Sequence, residues 1–254
     1  MKLTTGMAVY NDFHGVYQTV QALRVYHGHV DMEVLVVDNF GDPLLETWCN
    51  NWIPGKVTYK KYTDIQGTTA PRQKVFEYAQ GEYVVCIDSH VFIWPGGLDR
   101  LWDGPHLIHG PMVWDNLEAC VCQMDDEWRD NMWGVWGDSV RFKSLPKEPF
   151  EIPMHGLGLF GCRKADWLGF NDQFRGFGGE EGYIHEKFKQ AGRKVLCLPW
   201  LKWVHRFSEL TGVRYKLDNR DRVRNYIIGH KELGLSLEPI RQHFSPQIVN
   251  SLMK

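Results

Sequence analysis

No apolar run in the sequence approaches the ~18 residues that a membrane-spanning helix needs, and Met1-Lys2-Leu3-Thr4-Thr5-Gly6 leads straight into a strand pattern instead of a signal peptide. The expectation is a soluble, cytoplasmic chain without a membrane span. Charge of one sign is also missing: 29 basic against 31 acidic residues leave a net charge of −2, which gives no bulk attraction to polyanions and leaves only a local basic groove for nucleic acid. The six cysteines, at positions 49, 86, 120, 122, 162 and 197, form no C-x-x-C pair and no regular framework, so reduced core thiols are expected. Cys120 and Cys122 would share one face of a strand, the single hint of a thiol metal site or a disulfide. Repeats, low-complexity tracts and linkers are absent, and the partition expected is one domain over 1–225 with a helical extension over 226–254 packed on it.

What is present is an ordinary globular balance, 43% hydrophobic and 24% charged in 254 residues. Leu3 to Val9 reads as a strand that stops at Tyr10-Asn11-Asp12, a polar turn with helix-capping residues. His14 to Tyr26 carries Val16, Val20 and Leu23 at helical spacing, with Gly28 to end it. Met32 to Val37 is a second buried strand and delivers Asp38 and Asn39 at its carboxyl end. A helix around Pro43 to Asn51, a strand around Val57 to Tyr62 and a helix opened by Thr68-Thr69-Ala70-Pro71, closed by Gly81, continue the alternation. The order predicts an α/β fold with a Rossmann-like, mostly parallel central sheet flanked by helices.

Tyr83-Val84-Val85-Cys86-Ile87-Asp88-Ser89-His90 is the most informative stretch. Its apolar, β-branched run predicts a fully buried parallel strand, and ligands of open α/β sheets bind beyond the carboxyl ends of such strands. Alternation turns Asp88 and His90 to the same side. One oxygen and one nitrogen donor suit a divalent cation that could hold a diphosphate.

The pattern from Trp94 to Pro153 is irregular, with strand-like residues at Val113 and from Ala119 to Met124 and an aperiodic Asp125 to Asp138. Of eleven tryptophans, Trp94, Trp102, Trp114, Trp128, Trp133 and Trp136 crowd the middle third. About half are expected in the core, and the rest suit stacking on sugars or bases. Later come a short helix over Ala165 to Gly169, Phe177-Gly178-Gly179-Glu180-Glu181 leading into a helix from Tyr183 to Gln190, a strand from Val195 to Leu198, and Trp203-Val204-His205-Arg206. A basic, aromatic loop with Arg214, Tyr215 and Lys216 follows.

Asp88-Ser89-His90, Trp133-Gly134-Val135-Trp136, Gly158-Leu159-Phe160, Phe177-Gly178-Gly179-Glu180 and Val204-His205-Arg206-Phe207 fall in one order. Together with Asp38 and Arg72, that order resembles the nucleotide-sugar glycosyltransferases of the GT-A fold, especially family 2 and the polypeptide N-acetylgalactosaminyltransferases. The resemblance spans about residues 1 to 225 and implies transfer of a sugar from a nucleoside-diphosphate sugar, a UDP-sugar, to an acceptor hydroxyl. It makes Asp88, His90 and His205 ligands of a divalent metal, manganese with magnesium as the alternative. Tyr10, Asp38, Arg72, Ser89, Arg206 and Tyr215 become donor-binding residues beside Asp88, with Asp38 at the base or ribose and the Arg206 to Lys216 loop over the phosphates.

Glu180 and Glu181 are the implied catalytic carboxylates, with Glu181 at the position where inverting relatives keep a base, Asp in their Gly-Gly-Glu-Asp element. The retaining relatives have Asn there, so inversion is the expected stereochemistry. Acceptors consistent with the tryptophan-rich segment are a glycan, a protein or a modified DNA base. A chain without a stem or membrane helix points to a bacterial or viral source. Two other classes fit the same residues: a metal-dependent hydrolase using Asp88, His90 and His205, which the lack of H-E-x-x-H argues against, and a sugar-binding relative without turnover.

Overall fold

The computed structural model of the chain describes residues 2–52, 57–206 and 217–253. Leu3–Val9 (β1), Met32–Asp38 (β2), Val57–Lys61 (β3) and Tyr83–Asp88 (β4) are parallel neighbours in the order β3-β2-β1-β4, joined through helices Phe13–Tyr26 (α1), Pro43–Thr47 (α2) and Thr69–Tyr78 (α3). After β4 come the short strands Val91–Ile93 (β5), Leu107–His109 (β6), Met112–Val113 (β7) and Ala119–Val121 (β8). A hairpin follows, Met124–Arg129 (β9) with Met132–Trp136 (β10), and then Val140–Arg141 (β11), Phe150–Glu151 (β12) and Leu159–Arg163 (β13). The chain ends with helix Glu180–Gln190 (α4), strands Val195–Cys197 (β14) and Trp203–His205 (β15), and helices Asn219–Glu232 (α5), Glu238–His243 (α6) and Pro246–Leu252 (α7).

The central sheet runs β12-β14-β6-β13-β4-β1-β2-β3, with β13 and β12 antiparallel to their neighbours. It is therefore mixed but mostly parallel. A second sheet, β11-β8-β7-β15-β5, stands beside it. Alternation along β4 divides the core. Tyr83, Val85 and Ile87 join Val16, Val20 and Leu23 of α1 on one face, while Val84 and Cys86 join Val75 and Phe76 of α3 and Ile184 and Phe188 of α4 on the other. Each such fully buried apolar side chain contributes about 1.5–3 kcal/mol. Burial on both faces is why β4 reads as an uninterrupted apolar run.

Several expected elements shift. The helix expected over Pro43 to Asn51 keeps α-geometry only to Thr47 and then widens into a π-type turn over Trp48–Trp52. Lys164–Asp166 forms a single tight turn in place of the helix expected at Ala165 to Gly169, and α4 begins at Glu180, three residues before the expected start. The aperiodic Asp125 to Asp138 segment is ordered as the β9–β10 hairpin. Trp128 and Trp133 stack in parallel at 6.0 Å, and with Tyr226, Ile240 and Phe244 they build a third core under α5 to α7. The backbone N–H of Trp133 donates to the Tyr226 hydroxyl at 3.0 Å. Helix α5 runs across the limit expected at residue 225. All six cysteines carry free, buried thiols. No helix among the described residues is long and apolar enough to cross a membrane.

Candidate active site

Asp88 closes β4, and Ser89-His90 turn the chain into β5. Strand β15 pairs antiparallel with β5 so that His205 lies opposite Val91, and the Arg206 N–H donates to the His90 carbonyl at 3.0 Å. This register carries His205 to the carboxyl end of β4. His90 Nε2 and His205 Nε2 lie 3.2 Å apart, with the rings edge to face at 4.7 Å. His205 Nε2 is 3.6 Å from Asp88 Oδ2, and one donor atom from each of the three residues falls within 4.8 Å of the others. Two imidazole nitrogens and a carboxylate oxygen converging in this way match the donor set of a borderline divalent cation such as manganese, so the residues present fit a metal.

A buried hydrogen-bond frame holds these donors. Arg72 Nη2 donates to Asp88 Oδ1 at 2.8 Å, and Arg72 Nη1 lies 3.5 Å from Glu180 Oε1. Burial opposes the charged Asp88 carboxylate, but Arg72, His205 and His90 outweigh it and lower the pKa. Asp12 supports the other side. Its Oδ2 accepts from the Ser89 hydroxyl at 2.7 Å and faces His90 Nδ1 at 3.4 Å, while Oδ1 caps α1 through the Gly15 N–H at 3.2 Å. Burial opposes its charge too, yet the bonds from His90 and Ser89 hold its pKa below the usual range. With His90 Nδ1 turned to Asp12, Nε2 is left for the cleft.

The cleft has a volume of about 680 Å³, and the residues that line it include Tyr10, Asp12, Arg72, Asp88, Ser89, His90, Trp136, Gly156, Phe177, Glu181, His205 and Arg206. Most of the expected residues therefore meet, with three qualifications. Asp38 is fully buried and does not line the cleft. Its carboxylate accepts from the N–H groups of Phe40, Gly41 and Asp42 and from the Tyr59 hydroxyl, at 2.7–2.9 Å. These four bonds hold the Phe40–Asp42 turn; Asn39, the next residue, lines the cleft.

Glu180 and Glu181 part company. Successive helical residues point about 100° apart, so Glu180 turns inward to Arg72 and to the Thr68 hydroxyl at 2.6 Å, fully buried, while half-buried Glu181 faces the cleft. Glu180 is thus a buried partner of Arg72 and Thr68 and is not among the residues that line the cleft, whereas Glu181 is. Burial, and then the neighbouring Glu180 charge, raise the Glu181 pKa against the pull of Arg72. Lastly, Tyr215 and the rest of 207–216 lie outside the described residues; Arg206 anchors the near end by donating to Gln18 and to Thr19 Oγ1.

The sequence reading missed Asp12 and the separate position of Trp136. Asp12 ends the β1 strand turn on the same sheet edge as Asp88, which was the available signal. Trp136 is the one residue of the β9–β10 tryptophans that reaches the cleft, and its ring packs against Gly156 and edge-on to His155 at 5.3 Å.

A mostly parallel sheet with its acidic and imidazole donors at the carboxyl edge, and a glycine-opened helix carrying a carboxylate into the cleft, define the GT-A class of nucleotide-sugar transferase folds. The sequence model described as glycosyl transferase family 2 matches residues 4–160, more than half of the chain, and the chain belongs to that family. Among solved structures, GalNAc-T7 with UDP, GalNAc and Mn2+ superposes with a TM-score of 0.70 at 16% identity, covering 91% of this chain and 48% of that one. The mannosyltransferase PcManGT from Pyrobaculum calidifontis, in complex with GDP-Man and Mn2+, gives 0.57 at 14% identity over 99% of this chain and 68% of its own. S. aureus TarS in complex with UDP-GlcNAc gives 0.53 at 14% over 100% and 72%. The chain spans about half the length of GalNAc-T7. At these identities the likeness is one of fold. No curated protein sequence matches.

Proposed function

We propose that the chain transfers a sugar from a nucleoside-diphosphate sugar, a UDP-sugar in the first instance, to an acceptor hydroxyl with inversion, using a divalent cation. The observation that carries this reading is the convergence of Asp88, His90 and His205 within 4.8 Å, at the carboxyl edge of a family 2 sheet. The neighbouring structures bound to UDP or GDP-Man with Mn2+ support the same choice of donor and metal. A cation held by these three residues would neutralise charge on the departing diphosphate.

The chain's own groups supply the rest. Arg72 keeps Asp88 ionised and aimed, and Asp12 fixes His90 with Nε2 outward. Glu181 takes the proton of the acceptor hydroxyl as that oxygen attacks the sugar carbon; its raised pKa brings its basicity closer to that of the group it deprotonates. Tyr10, Asn39, Trp136 and Phe177 all line the cleft; in this reading Tyr10 and Asn39 serve the nucleotide, and Trp136 and Phe177 serve the acceptor. Flat rings beside a carboxylate suit a glycan acceptor, with a protein or a modified DNA base as the alternatives.

The test is a thermal-shift panel of UDP, GDP, UDP-GlcNAc and GDP-mannose, each with and without manganese. Stabilisation that requires metal and diphosphate together, and disappears in His205→Ala, is expected. No shift with any of them, with metal affinity unchanged in His205→Ala, overturns the reading. Metal-dependent cleavage of a phosphoester without any sugar nucleotide would replace it with a hydrolase.

A further inference from the structure

The loop that carries Glu181 into the cleft is unusual in how it is held. Gly176, Gly178 and Gly179 have φ of 61°, 99° and 93°, a left-handed run that only glycine adopts at low cost, and Gly179 opens α4 with no side-chain cap of its own. Gly176 is bridged to Gly67, with the Thr68 N–H donating to its carbonyl at 2.9 Å and its own N–H donating to the Gln66 carbonyl at 3.3 Å. On either side of that bridge, at Arg175 and Gly178, α5 adds a second set of restraints. Asn225, 1% exposed, accepts from the Arg175 N–H at 2.9 Å through Oδ1, and its Nδ2 donates to the carbonyls of Arg175 at 2.7 Å and Gly178 at 2.9 Å. A single buried amide thereby satisfies three backbone groups of the loop. The α5 backbone lies directly on Gly179, where an added Cβ would stand 3.1 Å from Asn225 Cβ and 3.3 Å from the Tyr226 nitrogen.

The same face of α5 continues along α4. Gly229 sits against Tyr183 and Phe174, and Glu232 accepts from the Tyr183 hydroxyl at 2.7 Å and from Lys187 Nζ at 2.9 Å. Asn225, Gly229 and Glu232, at helical spacing, make one seam. Its first residue holds the loop, and its last two hold the body of α4.

We infer that Asn225 is a positioning residue for Glu181, and that α5 belongs to the catalytic unit instead of trailing it. The inference rests on Glu181 acting as the base. Asn225 supplies two donors and one acceptor where the loop has two carbonyls and one N–H to satisfy. Asp can keep only the acceptor, and it sets a carboxylate oxygen against two carbonyls. Loss of the amide releases Arg175 and Gly178, the residues on either side of the Gly67–Gly176 bridge, and loosens the turn that leads into Glu181, while Asp88, His90 and His205 keep their own frame.

The experiment compares Asn225→Asp, Asn225→Ser and the seam control Glu232→Gln with the wild type, with manganese present. Hydrogen exchange is followed at the amides of 175–182, manganese-dependent UDP affinity is measured by calorimetry, and slow hydrolysis of UDP-GlcNAc or GDP-mannose, whichever is turned over, is measured as kcat and KM. Both Asn225 variants are expected to speed loop exchange at least tenfold and to lower kcat at least tenfold, with UDP affinity and KM within threefold. Glu232→Gln lowers thermal stability and leaves kcat within twofold. Loop exchange or kcat within twofold of wild type in a folded Asn225 variant overturns the inference. Should Asn225→Asp fail to fold, Asn225→Ser decides the question. Glu181→Gln separates the two readings: unchanged hydrolysis in that variant removes the base, whereas abolished hydrolysis beside an unaffected Asn225 variant removes only the positioning role.

Discussion

Arg72 and Glu180 form a buried pair, with Nη1 3.5 Å from Oε1, while the other arm of the same guanidinium holds Asp88 at 2.8 Å. One side chain thus ties the first turn of α4 to the end of β4, so the helix of Glu181 and the proposed metal ligands share a single buried cation.

Removing that cation leaves buried Glu180 with the Thr68 hydroxyl and half-buried Asp88 with His205, and neither with its guanidinium. Arg72→Met is expected to destabilise the fold by roughly 3–5 kcal/mol, because breaking a buried pair strands its charge. Arg72→Lys, which cannot span two carboxylates with a planar fork, is expected to lose most of the same amount. Urea unfolding at neutral pH measures both, and a cost below 1 kcal/mol for either would contradict the buried geometry.

Asp12 touches His90 and Ser89 but contributes no atom to the three-residue donor set. Asp12→Ala is therefore expected to weaken manganese binding about 10–100-fold, the usual scale for an outer partner of a ligating histidine. Calorimetric titration with manganese alone reads this. Affinity equal to the wild type would mean that His90 is oriented by something else.

For Glu181 the sign of the pH effect can be worked out. Its folded pKa is raised, so the folded state binds a proton more tightly than the unfolded chain does. The stabilisation is complete below the ordinary carboxylate pKa and is lost as pH rises through the raised one. Turnover moves the opposite way, falling as pH drops through that raised pKa, since the base must be ionised. Glu181→Gln is expected to abolish transfer and, at neutral to alkaline pH, to melt above the wild type. A variant less stable than the wild type at pH 8 would rule out the raised pKa.

Two tryptophans four sequence positions or fewer apart in one hairpin should behave as different kinds of residue. Trp133, 8% exposed and packed in the third core, is expected to cost about 3–5 kcal/mol on replacement by Ala. Trp136→Ala is expected to cost far less and to raise the acceptor KM at least fivefold, with donor KM unchanged. Paired unfolding and kinetic measurements check both, and equal stability losses would place Trp136 in the core as well.

The order of elements from β1 to β4 was legible because strands buried on both faces keep a continuous apolar signature, and their carboxyl ends mark the site edge. Asp88, His90 and His205 could be picked out from that edge and from the order of motifs. Side-chain direction was harder to read. Asp38 and Asp12 both follow strands on the same edge, and nothing in composition says that one would close a backbone turn and the other would face the cleft. Glu180 and Glu181 are chemically near-identical neighbours, and only the helix start at Gly179 decides which points inward. The β9–β10 hairpin escaped because its inward tryptophans face helices almost a hundred residues later, a contact that local periodicity does not record. Asn225 was invisible for the same reason.

The β5–β15 register joins residues distant in the chain, since the two histidines that face each other are separated by 115 positions. A cation shared by Asp88, His90 and His205 would close that long loop in the manner of a staple, with the entropic leverage of a crosslink about 100 residues wide, ~4–5 kcal/mol in chain-entropy terms. Synthesis of the chain leaves the donor set incomplete until residue 205 has emerged. A nascent chain stalled before β15 would hold Asp88 and His90 without their third partner, and metal loading would then report completion of the fold.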